Sequence, residues 1–136
     1  MSLDDAKYYP LAINLYIVDI SGIMKRHSDI NLGEFEQLIL LSMIRLGPDA
    51  YGASVQAEIE NRGGREVSIS AVYTTLDRLE SKGLVRSRIG EPTPERGGKR
   101  KKHYEITPAG TRALRDAYEL LKRMTKGIEA RLEKAQ

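Results

Sequence analysis

The chain has 136 residues, 40% of them hydrophobic and 30% charged, with a formal net charge of +3. Those proportions are globular rather than disordered, and the length fits one small domain with an appended helix. The absence of cysteine excludes disulfides and thiolate metal sites, and no apolar run reaches the ~18 residues of a membrane-crossing helix.

Residues 1–31 are too apolar for a free tail, with Tyr8, Tyr9, Leu11, Ile13, Leu15, Tyr16, Ile17, Val18 and Ile20 close together. The alternation of Ile13, Leu15 and Ile17 suits a strand, while the length and the Met24-Lys25-Arg26 ending suit a helix. We expect a partly helical N-terminal extension, with a helix from about Leu11 to Met24. Asp4 and Asp5 stand where a secretory signal would carry positive charge, and no A-x-A-like cleavage site follows, so the expected location is cytoplasmic.

From Leu32 the pattern sharpens. Phe35, Leu38, Ile39, Leu41, Ser42 and Leu46 predict a largely apolar core helix stopped by Gly47-Pro48. A second helix spans Tyr51 to Arg62 and stops at Gly63-Gly64, and Glu66-Val67 is short enough for one strand-like bridge. Ser68 is a good N-cap for a third helix, SISAVYTTLDRLESKG, because its hydroxyl can accept from an unpaired backbone N–H. Lys82-Gly83 supplies a basic last turn and a glycine for the left-handed cap. Two strand-like runs, LVRSRI and KHYEI, then flank a Gly97-Gly98 loop. Helix, strand, charged tip and returning strand is the layout of a winged helix-turn-helix.

Thr107-Pro108 reads as N-cap and first residue of a final helix running to about Lys134, roughly 40 Å at 1.5 Å per residue. Leu114, Leu121 and Ile128 recur every seven residues, flanked by Tyr118, Met124 and Leu132. Such a stripe, with little protein left to cover it, predicts pairing with a second copy; the plain alternative is a helix folded back on its own domain. A domain this small buries only about two-thirds of its unfolded surface, which also favours a homodimer. The predicted organisation is therefore an extension (1–31), a winged-helix domain (32–106) and a dimerisation helix (107–136). The fold class is mainly α with a small β-hairpin wing (α+β).

At 100° per residue, Ile69, Val72, Leu76 and Leu79 face the core of the third helix, and Ser70, Ala71, Tyr73, Thr74, Asp77, Arg78 and Ser81 face outward. Small polar groups allow close approach to a DNA major groove: Ser70 and Thr74 can donate or accept, and Ala71 can meet a thymine methyl. Tyr73 and Arg78 have the reach for phosphates. A solvated helix face would carry similar residues, so the wing decides. Between Arg86 and Lys102, Arg86, Arg88, Arg96, Lys99, Arg100, Lys101 and Lys102 are opposed only by Glu91 and Glu95. Cations at a hairpin tip suit a sugar-phosphate backbone, with Lys99, Arg100 and Lys101 best placed.

Other chemistry lacks its residues. Gly98-Lys99 is not a phosphate loop, because position 93 is not glycine and Arg100 replaces the Ser/Thr. His27 and His103 have no ligand-spaced partner, and Ser68 and Ser70 have no nearby histidine. No metal, cofactor or enzymatic activity is expected.

The segments LGEFEQLILLSMIRLGPDAYGASVQAEI, SISAVYTTLDRLESKGLV and RGGKRKKHYEITPAG resemble the PadR family of winged-helix transcriptional regulators. Tyr73, Leu76, Leu79, Glu80, Gly83 and Leu84 match its helix-to-wing signature, and Tyr104, Thr107, Pro108 and Gly110 its wing-to-helix signature. The family's usual Gly-Thr is replaced by Ser70-Ala71, so base preference does not carry over there. The resemblance implies a homodimeric repressor that binds double-stranded DNA at an inverted repeat, with a single C-terminal pairing helix as in the smaller subclass. Many relatives respond to small hydrophobic or aromatic effectors. This chain has no tryptophan, which leaves Tyr8, Tyr9, Tyr16, Tyr118 or Met124 to line such a pocket; the simpler role of the N-terminal tyrosines is to seal a dimer core. The competing function is a winged-helix protein-interaction module without DNA binding.

Overall fold

The computed structural model describes residues 16–18, 24–26, 30–92 and 100–135. Its elements are β1 (Tyr16–Val18), β2 (Met24–Arg26), α1 (Glu34–Leu46), α2 (Gly52–Gly63), α3 (Ile69–Ser81), β3 (Val85–Pro92), β4 (Arg100–Ile106), α4 (Pro108–Thr125) and α5 (Glu129–Glu133). The fold is the expected mainly helical winged helix, with the antiparallel hairpin β3–β4 as its wing.

Part of the N-terminal extension differs from its expectation. Where a helix over 11–24 was predicted, Tyr16–Val18 pairs antiparallel with Met24–Arg26, Ile17 opposite Lys25. The β-branched Ile17-Val18 pair and the two-residue alternation favour a strand there. The remainder of the predicted helix lies outside the described residues.

Helices α1, α2 and α3 surround a core in which Ile39, Leu40, Val55, Val72, Leu76, Leu79 and Leu84 are fully buried. Each helix end has an identifiable cause. The Glu36 carboxylate accepts from the Gly33 backbone N–H at 2.9 Å, the reciprocal bond of a capping box. Ser68 Oγ accepts from the Ala71 N–H at 3.0 Å, as predicted for the N-cap of α3. At the other end of α3, Gly83 (φ 75°) donates to Glu80 O and Leu84 N–H donates to Leu79 O. Those two bonds form a Schellman motif, which turns the chain directly into β3.

The predicted Glu66-Val67 bridge is absent, because α2 side chains satisfy that backbone: Val67 N–H donates to Glu60 Oε2 and Val67 O accepts from Gln56 Nε2. The bridge instead joins Tyr51 to His103 on β4, and Tyr104 N–H donates to Ala50 O at 2.8 Å. The wing is thereby stitched to the turn between α1 and α2. Ile69, expected in the core, is 39% exposed, and Thr75 is buried in the inward stripe with Val72, Leu76 and Leu79.

The final helix is shorter than expected. It starts as predicted, with Pro108 in its first turn and Thr107 Oγ1 accepting from Gly110 N–H. It stops at Thr125, because Lys126 is extended (ψ 123°) and Gly127 has φ 89°. A glycine accepts that left-handed conformation at little cost, and the separate five-residue α5 follows. Leu114, counted among the pairing residues, is 7% exposed within its own domain's core.

Two predictions follow from this packing. A Cβ at Gly110 would strike the Leu84 carbonyl oxygen and the Ile106 side chain, so Gly110→Ala should destabilise the chain by about 1–3 kcal/mol in urea unfolding. Tyr104 is 3% exposed, and its phenol is pushed up to about 12 from 10.0, first by burial and then by the negative charge of Asp77 and the nearby Tyr73 and Glu80. The neutral phenol is the form that folding favours. Its contribution is complete below pH 10, and is lost as pH rises towards 12 and the unfolded tyrosine ionises first. Tyr104→Phe should flatten the stability profile across that window, measured by urea titration at each pH.

Candidate nucleic-acid interface

The inward stripe fixes the rotation of α3, and the outward face follows from it. At 100° per residue, Ser70, Thr74, Asp77 and Ser81 fall within an arc of about 60° directly opposite Leu79. Ser70 and Thr74 are exposed; Ala71 is half-buried on one flank, next to buried Thr75. Arg78 lies on the same flank, exposed and without an ion pair among the described residues. The expected groups therefore share one surface, with Ser70 and Thr74 central. Asp77 also stands in the centre. It belongs among the candidate base-reading groups, since a carboxylate accepts from the cytosine amino group and repels phosphate. Its position was legible from the helix period, but a search for cations and small polar groups passes over it.

Tyr73 occupies the opposite flank, 40% exposed. Its ring stands so close to Gly52, at the start of α2, that a Cβ there would collide with the ring edge and hydroxyl. Tyr73 thus fixes the approach of α2 to α3 as well as facing outward. Lys82, the basic residue after α3, points back into the domain, where its ammonium meets Glu36 at 2.8 Å.

The wing is held at its base. Glu80 on α3 accepts from both the N–H (3.0 Å) and the hydroxyl (2.7 Å) of Ser87 on β3. His103 Nδ1 lies 3.2 Å from Pro48 O, and its ring meets Tyr51 edge-on at 5.9 Å. The Lys101 ammonium sits 4.2 Å from the Tyr51 ring centroid, a cation–π contact that directs one of the predicted phosphate-holding residues. Arg100 is the first residue of β4, opposite Pro92, and Lys99 lies outside the described residues.

The cations of the wing do not all share one face. Cross-strand partners project together, and the Ser87–Tyr104 pair packs towards α3. Arg86–Glu105 and Arg88–His103 therefore occupy the other face. Arg86 is further offset by Glu105, with nitrogen and oxygen 2.8 Å apart. The charge available beside α3 is smaller than the local count suggests.

Along α4, the stripe that buries Ala113 and Leu114 continues outward as Tyr118 (59% exposed), Leu121 (55%) and Met124 (69%). Ile128 and Leu132 are also exposed, but the break at Gly127 takes them out of the helical register that their spacing predicted. Of the residues proposed for an effector pocket, Tyr8 and Tyr9 lie outside the described residues, Tyr16 begins β1, and Tyr118 and Met124 are exposed on α4. A groove of about 450 Å³ among the described residues is lined by Met43, Ile44, Pro48, Arg88, Tyr104, Glu105 and Ile106. No described helix is long and apolar enough to cross a membrane.

This geometry has close parallels in known proteins. The model of the transcriptional regulator PadR-like family matches residues 40–116. No curated protein sequence matches the chain. Among solved structures, the PadR family transcriptional regulator from Eggerthella lenta DSM 2243 is 28% identical, with a TM-score of 0.57 over 75% of this chain and 88% of its own. A transcriptional regulator from Clostridium thermocellum is 26% identical, with a TM-score of 0.57 over 70% and 89%. A PadR family regulator from Clostridium difficile R20291, at 22% identity, shares the fold with a TM-score of 0.59 over 74% and 99%. The family match takes in the turn after α1, α2, α3, the wing and the first turns of α4, which is more than half of the sequence: the chain belongs to the PadR-like family of transcriptional regulators.

Proposed function

We propose that this protein is a sequence-specific repressor that binds an inverted-repeat operator as a homodimer. The observation that carries the reading is the outward face of α3, where Ser70, Thr74 and Asp77 lie in one narrow arc opposite a fully buried stripe. Side chains this short let the helix backbone approach base edges. In this reading Ser70, Ala71, Thr74 and Asp77 face bases, while Tyr73, Arg78, Lys99, Arg100 and Lys101 hold phosphates. The phosphate contacts supply most of the affinity and its salt dependence, and the base contacts supply the preference among sites.

Pairing is supported by the apolar stripe of α4. Covering a residue such as Leu121 is worth about 1.5–3 kcal/mol, and Tyr118, Leu121 and Met124 lie on one side of the helix beyond the domain that buries Leu114. A two-fold dimer would present two α3 helices about 34 Å apart, the separation of half-sites one turn apart on B-DNA. A small hydrophobic effector that releases the operator fits the same architecture.

Two experiments test this reading. With Lys99 and Arg100 changed to Ala, binding should weaken on every DNA sequence, and the slope of log affinity against log salt should fall by about 2; Thr74→Ala should instead change the ranking of operator variants. An unaltered slope would remove the wing from the contact, and a uniform loss for Thr74→Ala would remove that residue from base reading. For the dimer, Leu121→Lys should shift sedimentation towards the monomer, whereas an unchanged dimer would place the pairing surface elsewhere.

A further inference from the structure

The groove between the C-terminal end of α1, the turn after it and the wing has a composition that the DNA reading does not use. Its apolar lining comes from Met43, Ile44 and Pro48 on the side of α1 and its turn, and from Tyr104 and Ile106 on β4. Met43 is 2% exposed, whereas Ile44 is 50% exposed. Two charged residues border this lining, and they are not equivalent. Glu105 is held by Arg86 at 2.8 Å. Arg88 lies cross-strand from His103, on the wing face turned away from Ser87 and Tyr104, and meets no carboxylate among the described residues. The groove therefore combines an apolar lining with one uncompensated guanidinium.

We infer that this groove binds a medium-chain aliphatic carboxylate, its headgroup on Arg88 and its chain along Met43, Ile44 and Pro48. A guanidinium presents paired donors that match the two carboxylate oxygens. A thioether and branched aliphatic side chains adapt to a flexible chain, and the volume of about 450 Å³ lies within the range of small-molecule sites. A bare inorganic anion would leave the apolar lining wet, and a neutral chain would leave Arg88 unanswered. The bound molecule would tie α1 to the wing, so it would change DNA affinity only to the extent that one wing position binds DNA better. That consequence rests on the regulator reading above; the binding itself does not.

The test uses the full chain with carbon-13 methyl-labelled methionine, titrated with sodium octanoate and, as the neutral control, octan-1-ol. Octanoate should move the Met43 methyl signal saturably and leave Met124 unmoved. Octan-1-ol should bind at least tenfold more weakly, and Arg88→Gln should cost octanoate about tenfold, or about 1.4 kcal/mol, while leaving octan-1-ol unchanged. Ile44→Glu, at an exposed position, should weaken both ligands. A Met43 signal that never saturates in the millimolar range would overturn the site, as would an Arg88→Gln variant that binds octanoate like the parent. A gel shift in parallel keeps the two claims apart: a protein that binds no DNA either with or without octanoate defeats the regulator reading, while the methyl titration alone decides the groove.

Discussion

The junction of Gly83-Leu84 with Thr107–Gly110 is the constraint on which the rest of the molecule depends. Leu84 N–H caps α3 through Leu79 O, while Leu84 O accepts from Thr107 N–H. The Thr107 hydroxyl donates to Gly83 O at 2.8 Å and accepts from Gly110 N–H at 3.1 Å. Four elements meet here: the end of α3, the start of β3, the end of β4 and the start of α4. Gly110 is required because Leu84 O occupies the space of a Cβ. The end of α3, both wing strands and the start of α4 are thereby held at one junction.

Further contacts set how α3 and the wing are presented. Leu79 and its neighbours set which side of α3 is exposed, and Glu80 fixes the wing to α3 through Ser87. Tyr51 and Lys101 fix the wing to the turn before α2. Neither contact depends on the net charge of the chain. The small net charge of +3 is no obstacle, because local placement and not the total sets the potential that a phosphate meets.

Much of this was legible in the sequence because it is local. Ser68, Gly83 and Thr107-Pro108 announce helix ends through hydrogen bonds made within a few residues, and the period of Val72, Leu76 and Leu79 announces the buried face. What escaped is long-range or competitive. The Tyr51–His103 bridge joins positions far apart in sequence, and Val67 lost its expected strand pairing to side chains of α2. Gly127 broke a helix whose heptad spacing continued through it, since spacing records which faces are apolar and not whether the backbone carries on. The count of wing cations ignored register, which sends Arg86 and Arg88 to the face away from α3 and sets Glu105 opposite Arg86. On the outward face of α3 the period alone located Ser70, Thr74 and Asp77, while the partners of Tyr73 and Lys82 required the packing of other helices.

The central claim is that α3, presented twice by a dimer, selects a DNA sequence. Selection of bound duplexes from a randomised pool at physiological salt tests it most directly. Enrichment of an inverted repeat whose half-site centres lie about 10 base pairs apart is expected, with loss of that motif when Ser70 and Thr74 are both replaced by alanine. A pool that remains random after repeated rounds, with the protein folded and dimeric, would contradict it.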